Sequence, residues 1–273
     1  MFDTPETRGT VHAMAAPSTL ARRVENYRGV QVLARVGNGA IGVIHILIGA
    51  IALAVAGGHG GSADQSGALQ ALVAAPGGLF ALWLIIVGLI ALAVWQVLQT
   101  IVAHTARRRV TEIAKGVVYL VLAVTATSIA SGGGHNASSS EKSGSARLLA
   151  VPGGAFVLGA IGLAIVGVGV GFLWNGITHR FERGLRLPPN RLAEVTTVLG
   201  RVGYISKGVA LLIVGGLVVT ASITYDPGKA GGLDGSLKAL VQLPFGVILL
   251  ILIALGLIAY GLFWCVRAFA VRL

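Results

Sequence analysis

One paragraph of sequence occurs three times in this chain, and that repetition sharply limits what the chain can fold into. Arg35, Arg109 and Arg201 each stand seven residues before a glycine, namely Gly42, Gly116 and Gly208. From those glycines it is 34, 36 and 36 residues to Pro76, Pro152 and Pro244, and a second apolar run follows each proline. Each copy reads as a pair of membrane-crossing helices.

Composition supports that reading. The chain has 273 residues, of which 55% are hydrophobic and 11% charged, with a mean hydropathy of +0.84. A soluble domain carries about 25% charged residues. A bilayer core about 30 Å thick takes about 20 apolar residues per helical crossing. Runs near 36–56, 79–102, 116–130 (extended upstream through Ile113), 155–177, 204–223 and 245–266 meet that length or approach it. They are continuously apolar and do not alternate, which excludes a membrane barrel. The pattern therefore predicts an all-α membrane protein with six transmembrane helices arranged as three tandem helical hairpins. Copies with two crossings each insert in the same direction, so an axis along the membrane normal relates them. A pseudo-threefold bundle is the expected assembly. The expected divisions are an N-terminal segment over 1–34, hairpins over 35–106 and 107–179, a basic linker over 180–200 and a third hairpin over 201–273.

The charge distribution orients the bundle. With the N-terminus in the cytoplasm, 17 of the 21 Lys and Arg fall on the cytoplasmic side, and only Lys142, Arg147, Lys229 and Lys238 fall outside. Asp64, Glu141, Asp226 and Asp234 balance those four, so the net charge of +11 belongs to the inner face. This is the positive-inside pattern. It places both termini of a multi-pass membrane protein in the cytoplasm. Basic residues there meet anionic lipid headgroups. No nucleic-acid motif accompanies the charge, so nucleic acid is not an expected partner. The polar, Arg-bearing first 33 residues lack the apolar stretch of a secretory signal. Residues 1–17 read as disordered, and 18–33 fit a short interfacial helix with Ser18 as N-cap. The single cysteine, Cys265, admits no internal disulfide.

The connections have a shared plan as well. Each outer loop opens glycine-rich and then shows a short helical pattern, with Leu72, Leu148 and Leu240 each four residues before its proline. The proline is expected at the first position of the return helix, where a missing N–H costs nothing. Trp95, Trp174 and Trp264 lie toward the inner ends of their helices, as interfacial anchors do. Gly167-x-x-x-Gly171 reads as a surface for close packing inside the bundle.

Few residues offer chemistry. His45, ten residues into the first crossing, is the one clearly intramembrane ionisable side chain and so the candidate polar site. Its equivalents in the other copies are Tyr119 and Leu211, so the repeat design does not require it. The plain expectation is a neutral imidazole bonded to a neighbouring helix. Lys115 and Lys207, read as lying near the starts of their helices, pair with Arg109 and Arg201. With Arg35 they are candidate contacts for lipid headgroups. His59 and His135 sit in glycine-rich loops and are expected to be solvated, and Asn136-Ala137-Ser138 is a chance sequon match. Gly37-x-Gly39-x-x-Gly42 matches a dinucleotide-binding string without the strand and acidic residue that such a site needs. The sequence shows no catalytic constellation, no metal site and no cofactor site.

Ala34-Arg35-Val36-Gly37 is echoed by Gly200-Arg201-Val202-Gly203. Lys115-Gly116 is echoed by Lys207-Gly208, and Tyr260-Gly261 with Arg267-Ala268-Phe269 closes the third copy. With these motifs, residues 33 to 270 resemble the bacterial membrane family catalogued as domain of unknown function 1206. Copy one departs at Ile41, where the lysine stands in the others. Copy two departs at Gly169-Val170-Gly171, which replaces the aromatic pattern. The resemblance implies a six-helix integral membrane protein and no activity. The function expected from the sequence is therefore a non-enzymatic scaffold or accessory subunit of a membrane complex, partnered by another membrane protein or by further copies of itself. The alternative is a channel or transporter for a small or hydrophobic solute along the pseudo-threefold axis.

Overall fold

A computed structural model describes residues 28–102, 105–133, 137–182 and 191–270. Most of the expected N-terminal segment, His135, Asn136 and Pro188-Pro189 lie outside the described residues. Among the described residues the elements run α1 (Arg28–Ala56), α2 (Gln65–Ala74), α3 (Gly78–Val102), α4 (Ala106–Ala130), α5 (Ala137–Leu149), α6 (Gly154–Ile177), a 3-10 turn (Arg180–Glu182), α7 (Arg191–Thr224), a second such turn (Pro227–Lys229), α8 (Gly232–Val241) and α9 (Gly246–Ala270). No strand occurs among these residues. Helices α1, α3, α4, α6, α7 and α9 are long and apolar enough to cross a membrane. The short helices α2, α5 and α8 cap the hairpins.

The return from each short helix to the membrane uses one turn three times. The amide N–H groups of Gly78, Gly154 and Gly246 donate to the carbonyls of Ala75, Val151 and Leu243 at 2.9, 3.0 and 2.9 Å. Proline occupies the second position of each turn. The third position has positive φ: 73° at Gly77, 78° at Gly153 and 60° at Phe245. This is a type II turn, for which proline then glycine is the favoured pair. The fourth residue is glycine for a steric reason. A Cβ on Gly78, Gly154 or Gly246 would collide with the carbonyl oxygen of Leu72, Leu148 or Leu240. The leucine spaced four residues before each proline thus meets its turn glycine in all three copies. The return helices begin two residues after the prolines, not on them.

The helices of one hairpin are not each other's main partners in the first two copies. Instead α3 packs along α4, α6 along α7, and α9 along α1, so the second crossing of each copy lies against the first crossing of the next. Small residues at seven-residue spacing set these contacts. In α1 they are Gly42 and Gly49, in α7 Gly208 and Gly215, and in α6 Gly162, Gly169 and Gly176. A Cβ on Gly261 would sit 2.5 Å from the Gly42 carbonyl oxygen, and one on Gly208 would sit 2.9 Å from that of Gly169. A Cβ on Gly215 would sit 2.8 Å from the carbonyl oxygen of Gly162. Backbones approach this closely only without side chains, and such contact drives helix association where lipid removes the hydrophobic effect. Seven residues is two turns at 3.5 per turn, which keeps one seam facing one partner. Gly167 and Gly171 lie off that seam: nothing is within 4 Å of a Cβ at either position. They are not an internal packing surface.

Packing between these pairs is uneven. Pair α1/α9 joins pair α6/α7 through an extensive α7–α9 contact, where a Cβ on Gly203 would lie 2.5 Å from the Tyr260 Cα and Gly256 presses on Ser206. Pair α3/α4 is joined mainly through α2, and α6 does not pack along α4. Gly88, which corresponds in its repeat to Gly256, has nothing within 4 Å of a Cβ.

Two helices start earlier than the apolar runs suggest. Helix α4 begins at Ala106, and α7 begins at Arg191, where the sequence suggests a linker as far as residue 200. Leu192, Val195 and Leu199 continue the helical pattern upstream, and the Thr196 hydroxyl donates to the Leu192 carbonyl at 2.6 Å. Phe181, ahead of the undescribed stretch, folds back to stack on Tyr204 at 5.3 Å between centroids.

Candidate functional site

Three of the glycine contacts converge on one place in the membrane. The Gly42–Gly261 contact sets His45, one turn on from Gly42, beside Tyr260, with ring centroids 4.8 Å apart and planes at 61°. The Gly169–Gly208 contact sets Lys207 beside Phe172. The Gly203–Tyr260 contact brings α7 close enough to α9 for the Lys207 stem, one turn further on, to cross toward α1. Lys207 Nζ then lies 2.9 Å from His45 Nε2. The ammonium sits 4.4 Å from the Tyr260 ring centroid and 5.0 Å from that of Phe172. Cation–π contacts of this kind strengthen where water is absent.

The hydrogen bonds assign the imidazole tautomer. Nδ1 lies 2.8 Å from the Ile41 carbonyl oxygen, which can only accept, so Nδ1 carries the proton. Nε2 is left with a lone pair and accepts from Lys207. His45 lies 11 residues from the end of α1, roughly 16 Å at 1.5 Å per residue, which is near mid-depth of a crossing. Helices α1, α6 and α9 contain no Asp or Glu, and α7 contains Glu194 alone, 13 residues before Lys207. The site is thus one cation held by a nitrogen lone pair and two ring faces, with no carboxylate at its level. Tyr204, Phe181 and Phe263 pack beneath it, and Arg267 stacks over Trp264 at 5.0 Å. Among the described residues no group of three His, Cys, Asp or Glu side chains is placed to hold a metal.

The other candidate residues do not converge. Arg35, Arg109 and Arg201 are exposed on three separate helices. Lys115 pairs with Glu112 of its own helix at 3.1 Å, in a half-exposed setting where such pairs contribute little. Lys207 is drawn into the bundle, away from the headgroups. Its pairing with His45 is what residue-by-residue reading missed, because α7 starts at Arg191 and so places Lys207 four turns into the helix. His59 is exposed in its glycine-rich loop. Trp95 and Trp174 face outward, whereas Trp264 turns into the aromatic cluster.

Breaking the pair has a defined expected cost. His45→Ala removes the acceptor of a buried ammonium and should destabilise by about 1–3 kcal/mol. Adding Lys207→Met removes the orphaned charge, and apolar replacement of buried ionic groups is often neutral. The double variant should therefore unfold in detergent at a higher temperature than His45→Ala alone. A double variant below the single would refute the assignment.

At the capped end, the N-termini of the three short helices are tied together. Asp64 caps α2 by accepting from Gly67 N–H at 2.9 Å and from the Ser66 hydroxyl at 2.7 Å. Asp234 at the start of α8 accepts from Ala63 N–H at 2.9 Å and pairs with Lys238 at 2.9 Å. Ala137 N–H, opening α5, donates to Ser66 Oγ at 3.4 Å. The Glu141 carboxylate rests against Gly232.

The family model described as Domain of Unknown Function (DUF1206) matches residues 36–103, 112–179 and 202–270, and each matched segment holds one of Gly42, Gly116 and Gly208. The uncharacterized protein YxxB of Bacillus subtilis (strain 168) is 31% identical over 239 residues, covering 84% of this chain and 86% of its own. No solved structure matches.

Proposed function

The chain belongs to the family described as domain of unknown function 1206, and from that premise we propose that it is a non-enzymatic scaffold or accessory subunit of a larger complex in the bacterial plasma membrane. The observation that carries this reading is the standing of α3/α4. This pair is held mainly through α2 and presents Trp83, Val87, Ile90 and Val94 on one helix and Leu120 and Val124 on the other as exposed apolar surface. An apolar helix pair attached by one edge gives a neighbouring membrane helix two faces to pack on. Purification from native membranes in mild detergent tests this. A stoichiometric membrane-protein partner or a defined homo-oligomer supports it, and repeated recovery of the isolated monomer overturns it.

The repeats are related in this proposal by a pseudo-threefold axis, supported by the recurrence of one turn and of one order of helix pairing. The charge bias supports cytoplasmic termini, with Arg35, Arg109, Lys115 and Arg201 at the anionic headgroups of that face.

A second reading is transport of a small or hydrophobic solute, and one observation favours it. Ionisable side chains inside a membrane mark ion or substrate paths by default, and Lys207 with His45 is such a pair. Flux into liposomes carrying wild-type protein, compared with His45→Ala, tests this reading. A wild type that passes no ion or small solute ends it.

A further inference from the structure

We propose that the interface of the three short helices is a proton-operated latch, in which protonated Glu141 holds α5 down against α8 and its carboxylate form releases it. The interface draws one carboxyl from each repeat, and the three are not equivalent. Asp64 and Asp234 are buried, each 3% exposed, and each accepts N–H bonds that only an oxygen lone pair can take. Glu141 faces both of them from α5 and presses on the backbone of Gly232, whose φ of +59° turns the start of α8 toward it. Desolvation at this contact and then the charges of Asp64 and Asp234 push its pKa from 4.5 up to about 7, although the residue as a whole stays exposed.

The surrounding charges are few. On α5 itself, the Lys142 stem passes Gly231 and Arg147 sits in the last turn. On α8, Lys238 is engaged by Asp234. In the turn before α8, Lys229 lies 3.9 Å from Asp226. Helix α2 brings Asp64 as its cap and no cation. A third negative charge at this junction is therefore opposed by two carboxylates, and Lys238 and Lys229 already have acidic partners.

The sign follows from linkage. A carboxyl whose folded pKa is raised contributes stability that is complete below its unfolded value near 4.5 and is lost as pH rises through the folded value near 7. Helix α5 is docked at pH 5 and loosened at pH 8. The latch acts on the first turns of α5, which meet the junction through the Ala137 N–H on Ser66, the Ser138 hydroxyl beside Gly231 and Gly235 and the Glu141 contact, whereas Leu148 and Leu149 at its far end pack against the α6–α7 core. This inference does not depend on whether the protein scaffolds or transports.

Hydrogen exchange of the α5 amides in the full-length protein, in nanodiscs of phosphatidylcholine and phosphatidylglycerol, tests the latch. After correction for intrinsic exchange, protection in α5 should fall at least tenfold from pH 5 to pH 8, while α6 and α9 stay constant. Glu141→Gln should remain protected at both values. Asp64→Asn, which removes one opposing charge, should move the transition to lower pH and serves as the second variant should Glu141→Gln fail to fold. Equal protection of wild-type α5 at pH 5 and pH 8, or a full pH response in Glu141→Gln, overturns the proposal.

Discussion

Gly261→Val is expected to be among the most disruptive single substitutions in this protein. A Cβ at Gly261 meets the Gly42 carbonyl oxygen at 2.5 Å and the Ile46 backbone nitrogen at 2.9 Å. These neighbours are main-chain atoms of α1, so no rotamer change relieves the overlap, and the two helices must separate. Overpacking of close interiors costs about 1–3 kcal/mol and occasionally more. A chain of this size loses about 2–4 °C of Tm per kcal/mol. A fall of about 6–12 °C follows for a cost near 3 kcal/mol at such a backbone contact. The internal control lies on α6. Gly169→Val should act in the same direction, since its Cβ meets the Gly208 carbonyl oxygen at 3.0 Å. Gly167→Val, two residues away with nothing within 4 Å, should fall within about 0.5 kcal/mol of wild type. Thermal unfolding in one detergent checks all three. Equal effects at positions 167 and 169 would remove the seven-residue seam from the account.

The second large effect is expected at the cap. Asp234→Ala deletes the acceptor of Ala63 N–H, the bond that ties the loop of the first repeat to the short helix of the third. An orphaned buried amide costs about 1–3 kcal/mol. It also frees Lys238, whose side chain is 46% exposed and loses little. Asp234→Asn keeps an oxygen for Ala63 and should recover most of the loss. The readout specific to this bond is exchange protection of the Ala63 amide, lost in the alanine variant and retained in the asparagine variant. Retained protection in Asp234→Ala would refute the tie.

Much of this architecture is legible in the sequence, and the failures have physical causes. The three crossing pairs, the short capping helices and the leucine–proline spacing are local, set by apolar run length and turn chemistry within a few residues. The glycines are visible as a class, but their phase is not. Gly167 and Gly171 have the familiar four-residue spacing and face outward, whereas Gly162, Gly169 and Gly176 form the seam. Spacing alone does not show which side of a uniformly apolar helix meets protein. Adjacent crossings suggest hairpin contacts, yet the chain pairs crossings from successive copies, a non-local choice set by glycines as far apart as Gly42 and Gly261, which are separated by 219 residues. His45 stands out as a polar residue in lipid. Its partner stays hidden because Lys207 resembles a residue at a helix start until the polar first turns of α7 are recognised as helix. The acids of the short-helix end register in sequence only as a charge balance, and their meeting at one junction is a tertiary fact.

The central claim is that three hairpins cross the membrane with their short helices outside and the start of α7 within. In a Cys265→Ser background, single cysteines at Ser140 on α5 and Val195 on α7 are both exposed to a membrane-impermeant maleimide. The account predicts labelling of Ser140→Cys on intact cells, and of Val195→Cys only after permeabilisation. The reverse pattern, or labelling of both on intact cells, would contradict it.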